Sequence, residues 1–408
     1  MNYLEELGPG LTTGASDDDP SGIATYSQAG AKFGFQLLWL APLTFPLMAV
    51  VQEMCARIGM VTGRGLAANI RKRYAPSIGY ITVGLLIISN TFNIGADLGA
   101  MAQSVQLVLP GGNIFVFIAL FASVSLFFQI RLPYSQYARY LKYLALALVA
   151  YILCALSIDI DWPAALHATI FPAMQFGRSQ IFLIAAVIGT TISPYLFFWQ
   201  TSQEVEERGL FSRRVKPEQI RGMQIDVWSG MLVSNIVMFF IIVVCAVALN
   251  QHGVTDIQSA ADAAEALKPL ANGNSALLFM IGIVGTGLLA VPVLAGSSAY
   301  AMSETLGWKF GLSYKLHEAK GFYAVIAVSM ILGALMSVFG IKPFDALIFA
   351  GIINALIAPF MLAIVVHLAS DKKLMGKQKN HPFTKWFGWL IVVVLGVTAV
   401  AALWSILG

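Results

Sequence analysis

The sequence predicts an all-α polytopic membrane protein: two inverted halves of five spans each, followed by an eleventh span. Three observations predict it. The chain has 408 residues, of which 58% are hydrophobic and only 11% charged, with a mean hydropathy of +0.76, whereas a soluble domain carries about 25% charged residues. Apolar runs of bilayer-crossing length, about 20 residues, recur from one end to the other with no globular insertion between them. When spans alternate from a cytoplasmic N-terminus, all but Lys32, Arg178, Lys268 and Lys342 of the 25 Lys and Arg residues fall in inside loops. That is the positive-inside asymmetry of a polytopic protein. The net charge of +4 follows from this topology, and no nucleic-acid partner is implied.

In order, the clear apolar runs are 36–58, 78–109, 113–130, 140–158, 225–249, 275–302, 322–339, 344–368 and 386–407. Two more, 7–33 and 179–204, are weaker because polar residues interrupt their middles. The eleven spans form one transmembrane domain: a first repeat over 7–158, a second over 179–368, and the extra helix 386–407. The N-terminal residues show no basic region or cleavage pattern, so the first span is expected to remain in the mature chain. Cys55, Cys154 and Cys245 are odd in number and set in apolar surroundings. They read as small packing residues, not disulfide partners or zinc ligands.

The first weak span carries Gly14-Ala15-Ser16-Asp17-Asp18-Asp19-Pro20-Ser21-Gly22. One charged side chain at mid-bilayer costs roughly 2.5–3.5 kcal/mol, so three carboxylates do not simply face lipid. Pro20 lacks an amide hydrogen, and Gly14 and Gly22 weaken the helix on either side. These residues imply a helix broken at membrane depth, with irregular backbone tolerated because it lines a polar cavity. Hard oxygens in such a break form a candidate cation site; the alternative is an acidic cap on a short interfacial helix. The sixth span repeats the pattern in Ile188-Gly189-Thr190-Thr191-Ile192-Ser193-Pro194-Tyr195. Paired interruptions at the first span of each half point to a transporter's midplane site.

In the third span Asn90, Asn93, Asp97, Met101 and Ser104 recur every three or four residues, on one helical face. Asp97 is open between a second ion site, a proton acceptor and a hydrogen-bonded packing group. Asn235 and Asn354 are lone polar residues, expected to form interhelical hydrogen bonds. Glu53 is expected to pair with Arg57, one turn away.

These residues resemble the natural resistance-associated macrophage protein (NRAMP) family of divalent metal transporters over nearly the whole chain. The resemblance is carried by Arg57-Ile58-Gly59-Met60-Val61-Thr62-Gly63, by Gly189-Thr190-Thr191-Ile192-Ser193-Pro194, and by Ala295-Gly296-Ser297-Ser298-Ala299-Tyr300-Ala301-Met302-Ser303-Glu304-Thr305-Leu306-Gly307-Trp308. It implies a LeuT-like fold, with spans 1, 2, 6 and 7 rocking against a scaffold of spans 3, 4, 5, 8, 9 and 10. The departures are equally informative. The family's Asp-Pro-Gly-Asn is Asp19-Pro20-Ser21-Gly22 here, so the carboxylate stays and the amide is gone. The family's Met-Pro-His is Ser193-Pro194-Tyr195, so the thioether and the imidazole are both gone. Thioethers favour soft ions, whereas carboxylates, carbonyls and hydroxyls suit Mg²⁺, Ca²⁺ or Mn²⁺. Asp97 matches the family's span-3 Asp, but its following Glu is Ala100.

The pattern is most like the NRAMP-related magnesium transporter branch. The expectation is therefore a non-enzymatic plasma-membrane carrier with cytoplasmic N-terminus and outside C-terminus. It would import hydrated Mg²⁺, with Mn²⁺ also accepted, by alternating access with weak or no proton coupling. It needs no cofactor; its partners are the ion and the bilayer, with no obligate protein partner evident. Asp19, Thr190 and Ser193 are the expected ion contacts, with Asp18 and Asp17 attracting the ion or joining its second shell. Ser16, Thr191 and Tyr195 line the site, and Gly22 leaves space. Asp97, Asn90, Asn93 and Asn354 are the secondary or proton-relay candidates. A proton-coupled Mn²⁺ or transition-metal transporter of the family is the alternative. Remoter ones are an amino-acid transporter of the same fold and a Mg²⁺-dependent prenyltransferase, which would want a second Asp-rich motif.

Overall fold

The computed structural model describes residues 8–132, 149–175, 177–207, 215–268, 274–336 and 342–407. All regular structure among the described residues is helical. The first expected span is two half-helices, α1 (Pro9–Asp17) and α2 (Pro20–Phe33). The second is α3 (Leu40–Thr62), which meets α2 at a bend of 111°. A short α4 (Leu66–Arg73) leads to α5 (Pro76–Val108) and α6 (Ile114–Arg131), the third and fourth spans. Of the fifth, only α7 (Val149–Ser157) falls within the described residues. So 140–148 lie outside them, as do Arg139, Lys142, Arg208, Arg213 and Arg214.

After the short α8 (Trp162–Ile170), the sixth span is again two halves, α9 (Arg178–Thr191) and α10 (Pro194–Glu207). Then come α11 (Pro217–Ala248), α12 (Ala260–Glu265), α13 (Ser275–Leu306), α14 (Lys320–Met336) and α15 (Pro343–Ser370). The chain closes with α16 (Lys372–Met375) and α17 (Pro382–Leu407). Among the described residues seven stretches are long and apolar enough to cross a membrane unaided, and α2 and α3 pass the same test only together. The ninth expected span, α14, is apolar but only 17 residues over its described length. The seventh span starts at Pro217, earlier than its apolar run at 225, because the amphipathic turn before the bilayer is also helical.

Two packing groups emerge. Helices α1, α2 and α3 pack on α11, and α3 also packs on α10, which assembles spans 1, 2, 6 and 7. Helix α5 is the hub of the second group, against α13, α14 and α15. The broken helices touch their neighbours backbone to backbone. A Cβ on Gly10 would lie 2.6 Å from the Val227 backbone, and one on Gly14 would strike the Gly230 carbonyl. In α9, a Cβ on Gly189 would lie 2.7 Å from Ala355 of α15. Small residues at these crossings allow the close approach that drives helix association in lipid. On the periphery α17 packs on α15 and α9 and turns Val393, Val397, Val400 and Trp404 outward. These lie three or four residues apart, a lipid-facing stripe.

Several expectations about lone residues hold. Arg57 pairs with Glu53 at 3.6 Å. Asn235 accepts from Thr44 of α3 at 2.9 Å, an interhelical bond. The three cysteines are buried, and Cys154 Sγ donates to the Ala266 carbonyl at 3.4 Å.

Candidate metal-transport site

Each break leaves two residues out of helical geometry and restarts at a proline. Asp18 and Asp19 separate α1 from Pro20, and Ile192 and Ser193 separate α9 from Pro194. Proline suits the first helical position because the amide hydrogen it lacks has no intrahelical partner there. Asp19 and Ser193 thus occupy matching places, as their sequence context predicts.

Asp17, Asp18 and Asp19 are all buried, exposed by no more than 1%. Asp19 engages the start of α2, whereas Asp17 and Asp18 both interact with Ser234 of α11. Helix geometry ends at Asp17, and Asp19 is extended with ψ 173°. Asp19 is the N-cap of α2. Its Oδ1 accepts from the Gly22 amide at 2.8 Å and from Ser21 Oγ at 2.6 Å. Asp17 Oδ2 accepts from Ser234 Oγ of α11 at 3.0 Å. Both oxygens of Asp18, and Oδ1 of Asp17, are buried without a hydrogen-bond partner. None of these carboxylates is in an ion pair among the described residues. No three His, Cys, Asp or Glu side chains among those residues converge as a ready-made metal cluster.

Hydrogen bonds stitch the two breaks together. Ser21 Oγ, already donating to Asp19, lies 2.9 Å from Thr190 Oγ1. Tyr26 Oη lies 2.9 Å from Thr191 Oγ1, and Tyr195 Oη donates to the Ser16 carbonyl at 2.8 Å. Tyr195 sits within electrostatic range of Asp19, Asp17 and Asp97. Ser193 Oγ turns back along its own chain, donating to the Thr190 carbonyl at 2.7 Å. The two expected span-6 contacts therefore engage each other, and Ser193 Oγ keeps acceptor capacity only. Asn354 of α15 donates to it at 3.3 Å and accepts from Ser89 of α5 at 2.5 Å, so α5, α15 and the α9–α10 break share one chain of hydrogen bonds.

The span-3 stripe divides. Asn90 donates to the Leu294 carbonyl, Ser297 Oγ and Ser298 Oγ of α13 at 2.8–3.0 Å. It joins α5 to α13, away from the breaks. Asn93 and Asp97 are fully buried with no side-chain partner, and Asp97 interacts electrostatically with Asp19.

One expectation needs correcting. The room beside Gly22 is occupied: a Cβ there would lie 3.2 Å from the Asp17 carbonyl and 3.3 Å from the Tyr26 ring. Tyr26, one helical turn on, folds over the position.

Sequence reasoning missed Ser21, Ser234, Ser89 and Asp226. The Asp226 carboxylate on α11 accepts from the amides of Gly8, Gly10 and Leu11 at 2.9, 2.6 and 3.2 Å. It is the cap that α1 lacks in its own sequence. Ser21 had a readable signal, a hydroxyl two residues past an N-cap Asp; the partners on α5 and α11 had none, because no local pattern shows which helix will lie opposite.

Two helices broken at matching positions around buried carboxylates, within a multi-pass helical bundle, define a membrane transporter of the broken-helix class. The family described as natural resistance-associated macrophage protein-like matches residues 10–405. The chain belongs to the NRAMP family. It is 25% identical over 405 residues to the divalent metal cation transporter MntH of Aeromonas hydrophila, covering 97% of this chain and 95% of that one. It is also 25% identical over 401 residues to MntH of Mycobacterium tuberculosis, covering 96% and 89%. A crystal structure of the Eremococcus coleocola manganese transporter superposes with a TM-score of 0.82 at 18% identity, over 99% of this chain and 87% of that one. The fold extends further, to Mhp1, a nucleobase-cation-symport-1 transporter, with a TM-score of 0.63 at 14% identity, over 98% and 90%. The fold is thus the LeuT-like one that the sequence predicts.

Proposed function

We propose that this chain imports divalent metal ions across the plasma membrane by alternating access, with Mn²⁺ as the leading substrate. The carrying observation is the pair of breaks with Asp19 and Ser193 in matching positions, bridged through Ser21 and Thr190. Asp19 anchors the ion, Asp97 faces it from α5, and Thr190, Ser193 and Asn354 supply oxygens from the second break and α15. MntH and the manganese transporter are named for divalent and manganese transport, which supports Mn²⁺ over the Mg²⁺ preference read from the sequence. Mg²⁺ remains a second reading on one observation. The residues at the breaks offer oxygen only, with Ser193 and Tyr195 where the family has a thioether and an imidazole, and such donors suit Mg²⁺ and Mn²⁺ alike. A cytoplasmic N-terminus and outside C-terminus rest on the distribution of Lys and Arg.

On protons, two features oppose each other. Tyr195 holds the Ser16 carbonyl and stands in place of an imidazole, favouring weak coupling. Asp97, a buried carboxylate within range of Asp19, favours coupling to proton movement. Proteoliposome flux with an internal pH dye tests both. Mn²⁺ uptake in the wild type, lost in Asp19→Ala, is the expected result; full uptake by Asp19→Ala would overturn the assignment. Lumenal acidification that tracks Mn²⁺ uptake would establish coupling, and uptake without it the uncoupled reading. Competition between Mg²⁺ and Mn²⁺ in the same vesicles ranks the two ions.

A further inference from the structure

The first break has two electrostatic halves. A helix N-terminus carries partial positive charge and a C-terminus partial negative charge. Asp19 lies on the favourable side, capping α2 and taking hydrogen bonds from Gly22 and Ser21. Asp17 and Asp18 lie on the other side, at the C-terminal end of α1, where the helix adds negative character to theirs. Their one hydrogen-bond partner among the described residues is Ser234, which donates to Asp17 Oδ2 at 3.0 Å and also interacts with Asp18. Three of their four carboxylate oxygens have no hydrogen-bond partner, and both residues are exposed by 1% or less. An isolated buried carboxylate costs several kcal/mol unless it is paired. Neither has an Arg, Lys or His partner among the described residues. The α1–α11 contact is built on Gly14 and Gly230, which brings Ser234, one turn beyond Gly230, up to the break.

We infer that Asp17, Asp18 and Ser234 form a second cation site, on the α11 side of the break and separate from the Asp19 site that faces α5 and α9. Its ligand is a hard divalent cation: two carboxylates match its charge, and carboxylate and hydroxyl oxygens match its chemistry. The inference rests on reading the chain as a divalent-cation carrier. It adds that two ions bind at once, and that one of them clamps the first half-helix to α11.

The test is Mn²⁺ binding to the full-length protein in detergent or nanodiscs, by equilibrium dialysis with electron paramagnetic resonance. Two Mn²⁺ per chain are expected in the wild type and one in Asp19→Ala. In the Asp19→Ala background, adding Asp18→Asn should abolish the remaining ion, and adding Ser234→Ala should weaken it about 10–100-fold, as loss of a supporting partner does at metal sites. Size-exclusion profiles confirm that each variant is folded, and Ser234→Ala keeps the test open if Asp18→Asn does not fold. One Mn²⁺ in the wild type with none in Asp19→Ala would overturn the inference. So would a residual ion indifferent to both Asp18→Asn and Ser234→Ala, and that result would leave the flux assay of the Asp19 site untouched.

Discussion

Ser21 does more than its place beside Pro20 suggests. Its hydroxyl links the Asp19 carboxylate to the Thr190 hydroxyl across the two breaks. Removing it in Ser21→Ala deletes a hydrogen bond worth about 0.5–1.5 kcal/mol. The KM for Mn²⁺ in proteoliposomes should therefore rise about 2–12-fold at 1.4 kcal/mol per decade, with the thermal midpoint little changed and Ser21→Thr restoring much of the loss. Asp226 acts on stability instead. It caps α1 from a neighbouring helix through three amides, and losing an N-cap costs about 0.5–2 kcal/mol. Asp226→Ala should lower the melting temperature in detergent more than Asp226→Asn, whose amide oxygen still accepts. Asp19 and Ser193 were legible as a matched pair because the residues that break a helix are local. The partners that complete their surroundings were not, since Ser21 to Thr190, Asp17 to Ser234 and Ser193 to Asn354 are contacts across sequence distances no local pattern encodes.

At the level of elements, the half-helices α1, α2 and α10 begin with a proline, and glycines in α1, α2 and α9 meet neighbouring helix backbone. Gly10 meets the Val227 backbone with no room for a side chain. Overpacking a tight contact costs about 1–3 kcal/mol, so Gly10→Ala should lower the thermal midpoint and the yield of monodisperse protein. Gly84→Ala, inside α5 with nothing within 4 Å of the added carbon, should be neutral or raise stability by up to about 1 kcal/mol. Equal effects of the two on the melting curve would contradict this account of the α1–α11 joint. The apolar runs announced most of the spans to within a few residues. The short helices α8 and α12 were not foreseen, because brief polar helices between spans carry little periodicity and take their support from the bundle.

The whole molecule joins its two packing groups through the breaks, and beyond the apolar helices Arg73 at the end of α4 pairs with Asp371 after α15. Arg73 Nε lies 2.6 Å from Asp371 Oδ2, and the Lys373 amide donates to Asp371 Oδ1 at 2.8 Å. That amide first, and then Arg73, hold the Asp371 carboxyl below its ordinary value of 3.8. A depressed carboxylate stabilises the fold fully above its unfolded pKa, and the contribution is lost as pH falls through the folded one. The difference in melting temperature between wild type and Asp371→Asn should therefore be constant above the ordinary carboxylate range and close as the pH falls below it. A difference that persists unchanged into acid would assign the Asp371 effect to something other than its charge.

By itself the sequence determined the class of fold, the two broken spans and the carboxylate at the first break. Each follows from a local physical rule: apolar length against bilayer thickness, the missing amide hydrogen of proline, and the cost of a carboxylate in hydrocarbon. Only the tertiary structure decided that Asp19 parts from Asp17 and Asp18, that Tyr26 packs beside Gly22, and that Ser193 turns its proton back to Thr190. It also separated the polar residues of α5: Asn90 hydrogen-bonds to α13, whereas Asp97 lies within electrostatic range of Asp19. The reason is common to all of these. Hydrogen-bond direction and electrostatic surroundings are set by the helix that packs opposite, and that neighbour is chosen by the whole bundle.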